Sequence, residues 1–351
     1  MLKRVLCLVL CLSLCLMAVG CSLGKGGNLS VDEGDDIDTA STIKEEKPKI
    51  VANPLTGVVN MDPEKANDRP VAFSVNNIHV AQTVQTGLNE ADIVYETEVE
   101  GGITRLIAVF QDISKVAKIG TVRSARYAFV DLAMGHNAIY VHHGQDEYHA
   151  GPHLKDIDHF TVSENAGGAR VKNGLATEHT LYAYGDKTWE CLESKFNTEN
   201  KNVKSWVNFE EDGKDVTLEN AATSVSVAFS PSYKTVFNYD VASKKYTRYF
   251  GSEIRKDYVT GENIQFKNVF VLFTTIRTYP NCTDGKNHRE VMLQSGDGYY
   301  FVNGTYTPIK WSKGAAANGF KFTTADGTEL TVNTGNSWVC IADKSSPVAF
   351  Q

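Results

Sequence analysis

Arg123 and Arg126 flank a serine that could start a helix, and six of the nine histidines lie between positions 142 and 179: His142, His143, His149, His153, His159 and His179. Guanidinium forks beside the free N–H groups of a helix's first turn favour an anion. The same arginines could instead pair with an acid such as Glu96 or Glu100 and serve only to hold the fold. Neutral imidazoles suit general acid–base work, and they also ligate zinc, copper, iron or nickel. His149-Ala150-Gly151-Pro152-His153 is not a zincin helix, because the base glutamate is missing and Gly151 and Pro152 break the helix. No metal and no cofactor is therefore assigned; His142, His149 and His153 are the positions from which a metal site would be built. Catalytic candidates, should there be catalysis, are His142, His143, Glu96 and Glu100. Glu96, Glu98 and Glu100 alternate along one run, the pattern of a solvated strand face. At ~3.3 Å per residue, Glu96 and Glu100 stand about 13 Å apart, beyond the ~5–9.5 Å of a glycosidase pair. The chain has no GxSxG elbow, Walker loop or GxGxxG turn, and Cys191 sits in an apolar context.

These side chains need a scaffold. Val71 to Val75 reads as a buried strand ending in Asn76-Asn77. Ile93 to Val99 and Ile103 to Phe110 read as strands joined by Gly101-Gly102, a hairpin signal. Ile119 to Val122 is expected as a strand, Ser124 to Met134 as a helix and Ala138 to Val141 as another strand: a β-α-β unit. Within the helix, Ala125, Ala128, Phe129, Leu132 and Ala133 form a stripe at helical spacing. Were the flanking strands parallel, Arg123, His142 and His143 would meet at the carboxyl ends, where open α/β sheets bind ligands. A second helix is expected at Asp186 to Phe196. Beyond it come short strands separated by Asp297-Gly298, Asn303-Gly304 and Asp326-Gly327. The expected fold is thus α+β: an N-terminal mixed α/β domain over 51–215 containing the β-α-β unit, and a C-terminal, mainly antiparallel β domain over 216–351.

The first 20 residues form an export signal, with Lys3 and Arg4 ahead of an uncharged apolar stretch. Ala18-Val19-Gly20-Cys21 resembles the bacterial lipobox, in which the cysteine is the lipidation site. Acyl chains on Cys21, a palmitate among them, would supply roughly 0.8 kcal/mol per buried methylene, anchoring the chain without a spanning helix. Residues 21–50 read as a flexible acidic tether reaching ~30 Å on average. The 351 residues carry 42 acids against 35 bases, a formal charge of −7. That balance argues against a nucleic-acid footprint. With Cys21 taken by lipid, Cys191, Cys282 and Cys340 remain, an odd number without a CxxC pair, so no disulfide framework is implied.

The segments Arg69-Pro70-Val71-Ala72, Asn76-Asn77, Gln85-Thr86-Gly87-Leu88, Ala91 to Glu96, Glu100 to Arg105 and Val122 to Arg126 resemble the YerB-like lipoproteins, a family of bacterial envelope proteins with no established reaction. Tyr246-Thr247-Arg248-Tyr249, Gly298 to Phe301, Ile309-Lys310-Trp311 and Trp338 resemble its C-terminal domain. The resemblance implies a lipid-anchored, two-domain extracytoplasmic protein. It also adds Arg105, Asn76 and Asn77 to Arg123 and Arg126 as ligand-binding candidates, and leaves Glu98 out. The leading expectation is an envelope protein held to the membrane through Cys21 that binds an anionic ligand, a cell-wall polymer or an envelope protein. The alternatives are a hydrolase of a wall glycan or phosphodiester using His142 or His143 with Arg123 and Arg126, and a metal-binding protein.

Overall fold

A computed structural model describes residues 49–280, 282 and 284–351. The signal segment, Cys21 and nearly all of the acidic tether lie outside the described residues. Residues from 47 onward form one compact unit.

In the first half the strands are β1 (Val71–Asn76), β2 (Ile93–Glu98), β3 (Thr104–Phe110), β4 (Ile119–Gly120), β5 (Ile139–His142), β6 (His159–Thr161), β7 (Gly168–Arg170) and β8 (Leu181–Ala183). Helix α1 spans Tyr127–Gly135 and α2 spans Gly185–Glu193. The second half adds β9 (Ser224–Ser230), β10 (Tyr233–Asp240), β11 (Lys245–Phe250), β12 (Asn268–Thr274), β13 (Ile276–Thr278), β14 (Arg289–Val291), β15 (Ser295–Val302), β16 (Thr305–Ser312), β17 (Lys321–Thr324), β18 (Ser337–Asp343) and β19 (Val348–Phe350).

An eleven-stranded sheet unites the two halves. It runs β16-β15-β12-β18-β2-β3-β1-β5-β6, with Asn220–Ala221 and β17 both pairing with β16. The C-terminal half was expected to be mainly antiparallel, and β9, β10, β11 and β19 do form an antiparallel sheet of their own. The exception is β18, which runs parallel to β12 on one side and to β2 on the other. The sheet is therefore continuous across residue 215. Because β1 and β2 both run antiparallel to β3, and β5 and β6 run parallel to β1, six strands point the same way. Their carboxyl ends, Thr161, His142, Asn76, Glu98, Asp343 and Thr274, share one edge.

Period two sorts the side chains into two cores. Val71, Phe73, Val75 and Val94 lie on one side, in a core shared with Trp338, Cys340, Val225 and Phe237 and with Trp189 and Leu192 of α2. Ala72, Ile93, Tyr95 and Ile107 face the opposite side, which α1 covers with Ala128, Phe129, Leu132 and Ala133. The stripe read from sequence is thus the buried face of α1. The helix starts later than expected, with Arg126 rather than Ser124 at its N-cap and no side-chain cap. The Ser124 carbonyl instead accepts bonds from Ser74 Oγ and Arg105 Nη1.

The β-α-β expectation needs correction. Strand β4 pairs antiparallel with β8 in a separate three-stranded sheet, while β5 lies in the large one. Between them the chain pairs with the large sheet at an isolated Val75–Val122 bridge and then lays α1 across that sheet, so the segment connects two sheets. The predicted hairpin at Gly101-Gly102 forms; both glycines have positive φ, 76° and 70°, which glycine adopts without a Cβ clash.

Candidate functional site

The sheet edge does gather the polar residues singled out from sequence. Arg123 N–H donates to the Ser74 carbonyl, His143 N–H to the Arg123 carbonyl and Ala125 N–H to the Gly144 carbonyl, at 2.9–3.0 Å. The ends of β1 and β5 and the approach to α1 are therefore stitched side by side. Arg105 joins them from the start of β3, opposite Asn76.

The three guanidiniums are held differently. Arg126 is committed: Nε and Nη2 fork onto the Glu100 carboxylate, with Nε–Oε2 at 2.8 Å. Arg123 donates to the Glu178 carbonyl at 3.0 Å, and the Glu178 carboxylate stands off at 4.0 Å, largely exposed. Its Nε is buried with no partner among the described residues. Arg105 is 4% exposed, and its one hydrogen bond goes to the Ser124 carbonyl at 2.9 Å. No carboxylate among the described residues reaches it as an ion-pair partner. Burial, and then the Arg123 charge, pull the Arg105 pKa down to about 10. Thr121, next to Val122 at the end of β1, adds a buried hydroxyl without a partner among the described residues. Burial pushes the nearby Tyr140 phenol up to about 12, against a hydrogen bond to Ser74 and the pull of the Arg105 and Arg126 charges. A buried cation with no carboxylate partner, beside a guanidinium with an orphaned N–H, is what an acceptor-rich anion would satisfy.

The imidazoles turn elsewhere. His142 is fully buried; its Nδ1–H donates to the Gly144 carbonyl at 2.8 Å, and Nε2 accepts from His159 Nδ1 at 3.0 Å. Burial drives its pKa down to about 4, so it is neutral at pH 7. His143 donates from Nδ1 to the Val162 carbonyl, and its Nε2 accepts from Arg170 at 3.3 Å. His149 bonds Asp146 and stacks on Tyr279 at 3.9 Å. His153 lies between Asp131 and Asp156 and stacks on Tyr127. His179 bonds Asn76 Nδ2 at 2.8 Å. Each histidine of the window thus has its own local partner. Among the described residues, no three His, Cys, Asp or Glu side chains converge as a metal-ligand set.

Glu96 and Asn77 belong to the interior, not to the edge. The alternating glutamates suggested a solvated face, yet Glu96 is 0% exposed. Its Oε1 accepts from Asn77, Thr104 and Thr235 at 2.8–2.9 Å, and its Oε2 from Trp338 Nε1 at 3.1 Å. Asn77 in turn accepts from Arg248 Nη2 at 3.0 Å, and that guanidinium lies 4.7 Å from the Trp338 ring centre. Arg248 is wholly buried, which lowers its pKa, with Glu96 opposing. Glu98 pairs with Arg289 at 3.1 Å and Glu100 with Arg126, so each glutamate has its own shell. Arg170, Arg248 and Arg289 were not singled out from sequence. The one available signal was Arg248 between the aromatic residues Tyr246 and Tyr249, where a charge drawn into the core needs a buried partner.

Comparison with known proteins follows the same division of the chain. The N-terminal model of the protein family of unknown function DUF3048 matches residues 55–200, and its C-terminal model matches residues 225–339. The chain belongs to the DUF3048 family. It is 29% identical over 309 residues to the "Putative lipoprotein YerB" of Bacillus subtilis (strain 168), covering 84% of this chain and 86% of that protein. The crystal structure of the YerB protein from Bacillus subtilis superposes with a TM-score of 0.72 at 27% identity, covering 85% of this chain and 99% of the other. Asn77, Gln85, Glu96, Thr104, Arg248 and Trp338, which all lie within the residues those two models match, build the buried polar network. Arg105 and Arg123 stand apart from it, at the open edge.

Proposed function

We propose that this DUF3048 protein is an extracytoplasmic envelope lipoprotein, anchored through lipid on Cys21, whose folded body binds a phosphate- or carboxylate-bearing ligand between Arg105 and Arg123. The similarity to a lipoprotein of Bacillus subtilis supports the anchoring, together with the lipobox-like Ala18 to Cys21. No helix among the described residues is long and apolar enough to cross a membrane. Wall polymers rich in phosphate or carboxylate are the ligands nearest to such a tethered body.

The observation that carries the binding reading is the Arg105 charge, buried at a sheet edge without a carboxylate partner. Taking a cation out of water costs several kcal/mol unless an anion faces it. A bound phosphate would supply that anion, reached also by Arg123, which solvent still touches. The ligand would lie outside the carboxyl ends of the parallel strands, as in other open sheets. Titration calorimetry with inorganic phosphate and glycerol phosphate tests it. Saturable binding is expected, at least tenfold weaker in Arg123→Gln with an unchanged melting temperature. Absence of binding, or binding indifferent to that substitution, overturns the proposal.

A further inference from the structure

A large cavity lies away from Arg105 and Arg123. It is a cleft of about 1040 Å³ lined by Pro70, at the start of β1, and by the carboxyl end of α1. Its volume is at the upper end of ordinary small-molecule sites. A second hollow of about 560 Å³ shares Met134, Asn137 and Ala317 with it, so the two form one continuous groove.

The chemistry of its walls is unusual for a protein surface. Asn137, Asn200, Asn202, Asn208 and Asn318 line the cleft, and the large apolar side chains there, Trp206, Phe320 and Phe322, are already buried in the core. Asn202 and Asn318 are exposed, and their side chains make no hydrogen bond to other described residues. An amide presents donor and acceptor together, which matches a hydroxyl or an acetamido group better than it matches a hydrocarbon. Charges along the groove are mixed: Lys204, Lys313 and Lys321 against Glu329 in the cleft, and in the hollow Arg69, paired with Asp158, and Lys155 beside Asp156 and Glu199. Lys313 spends its ammonium on the carbonyls of Ala315 and Ala316. No single-signed field is left to select a polyanion. One further donor is waiting. Trp206 lines the cleft at 9% exposure, and its indole N–H is buried without an acceptor among the described residues. The groove also depends on Gly135. A Cβ there would come within 2.8 Å of the Asn318 carbonyl, on the loop that forms one wall.

We infer that this groove binds a linear, largely uncharged oligosaccharide, with the asparagines reading hydroxyl and acetamido groups and the Trp206 N–H satisfied by a sugar oxygen. Its continuity favours several sugar units in a row. A peptide is the competing occupant, and it would call for open apolar pockets or a free strand edge for its main chain. The site is independent of the arginine crevice.

The test is calorimetry on the full-length chain in a detergent with no sugar headgroup, using the tetrasaccharide of β-1,4-linked N-acetylglucosamine as probe. Saturable binding is expected. The paired surface substitution Asn202→Ala with Asn318→Ala should weaken it at least tenfold. Trp206→Phe, which keeps the ring packing and removes the donor, should weaken it several-fold, and Arg123→Gln should leave it unchanged. No binding of the tetrasaccharide overturns the inference, as does binding untouched by the asparagine pair or lost in Arg123→Gln. Binding of a wall stem peptide in place of the sugar also overturns it.

Discussion

Arg248 and Glu96 put opposite charges inside the core, joined through Asn77 rather than in direct contact. Replacing Arg248 by methionine keeps much of the volume but removes the cation, the bond to Asn77 Oδ1, the bond to Gln85 Oε1 and the stack on Trp338. Glu96 then stays buried with its four donors but without the facing positive charge. Breaking a buried charge arrangement by deleting one partner costs about 3–5 kcal/mol. Glu96→Gln should cost a similar amount, because the new amide turns an N–H toward either the Trp338 Nε1 donor or the Asn77 Nδ2 donor. With the whole domain stable by only ~5–15 kcal/mol, either loss is large. In the double variant neither charge is left alone, so the two losses should fall short of additivity by about 1.5–3 kcal/mol. Urea unfolding followed by tryptophan fluorescence reads all three variants. Additivity within ~0.5 kcal/mol, or a loss below ~1 kcal/mol for Arg248→Met, would show that the two charges do not support one another.

Three further outcomes follow from the geometry. Folded His142 titrates near pH 4 against 6.5 for a free imidazole, so between those values the unfolded chain holds more protons and stability falls as the pH falls. His142→Asn should remove about 1.4 kcal/mol per pH unit of that slope across this window, relative to the parent, as read by urea midpoints at stepped pH. Glu100→Gln frees Arg126 from its carboxylate fork and should raise affinity for inorganic phosphate at least threefold in calorimetry. Gly135→Ala drives a methyl against the Asn318 carbonyl and should cost about 1–3 kcal/mol of stability. The same change should narrow the groove and weaken tetrasaccharide binding.

Local signals were legible where the neighbours in sequence are also the neighbours in space. The apolar stripe of α1, the Gly101-Gly102 hairpin and the Asn303-Gly304 turn between β15 and β16 are of this kind. The pairing of an arginine with Glu100 was one of the two readings offered for Arg126, and that residue takes it. The insertion of β18 between β2 and β12 was not legible, because parallel pairing leaves no local turn to mark it. For the same reason Glu96 read as solvated. Its period-two pattern is that of an open face, while its donors come from positions 77, 104, 235 and 338, which only the fold assembles. The histidine window suggested a common site, but strand directions and loop contacts give each imidazole its own partner.

The central claim is that an anion completes the charge of Arg105. A crystal of the protein soaked in tungstate, a heavy phosphate analogue visible by anomalous scattering, tests this most directly. The account predicts a tungstate within hydrogen-bond distance of both the Arg105 and Arg123 guanidiniums. Tungstate bound only at other positions, with the Arg105 guanidinium facing water alone, would contradict it.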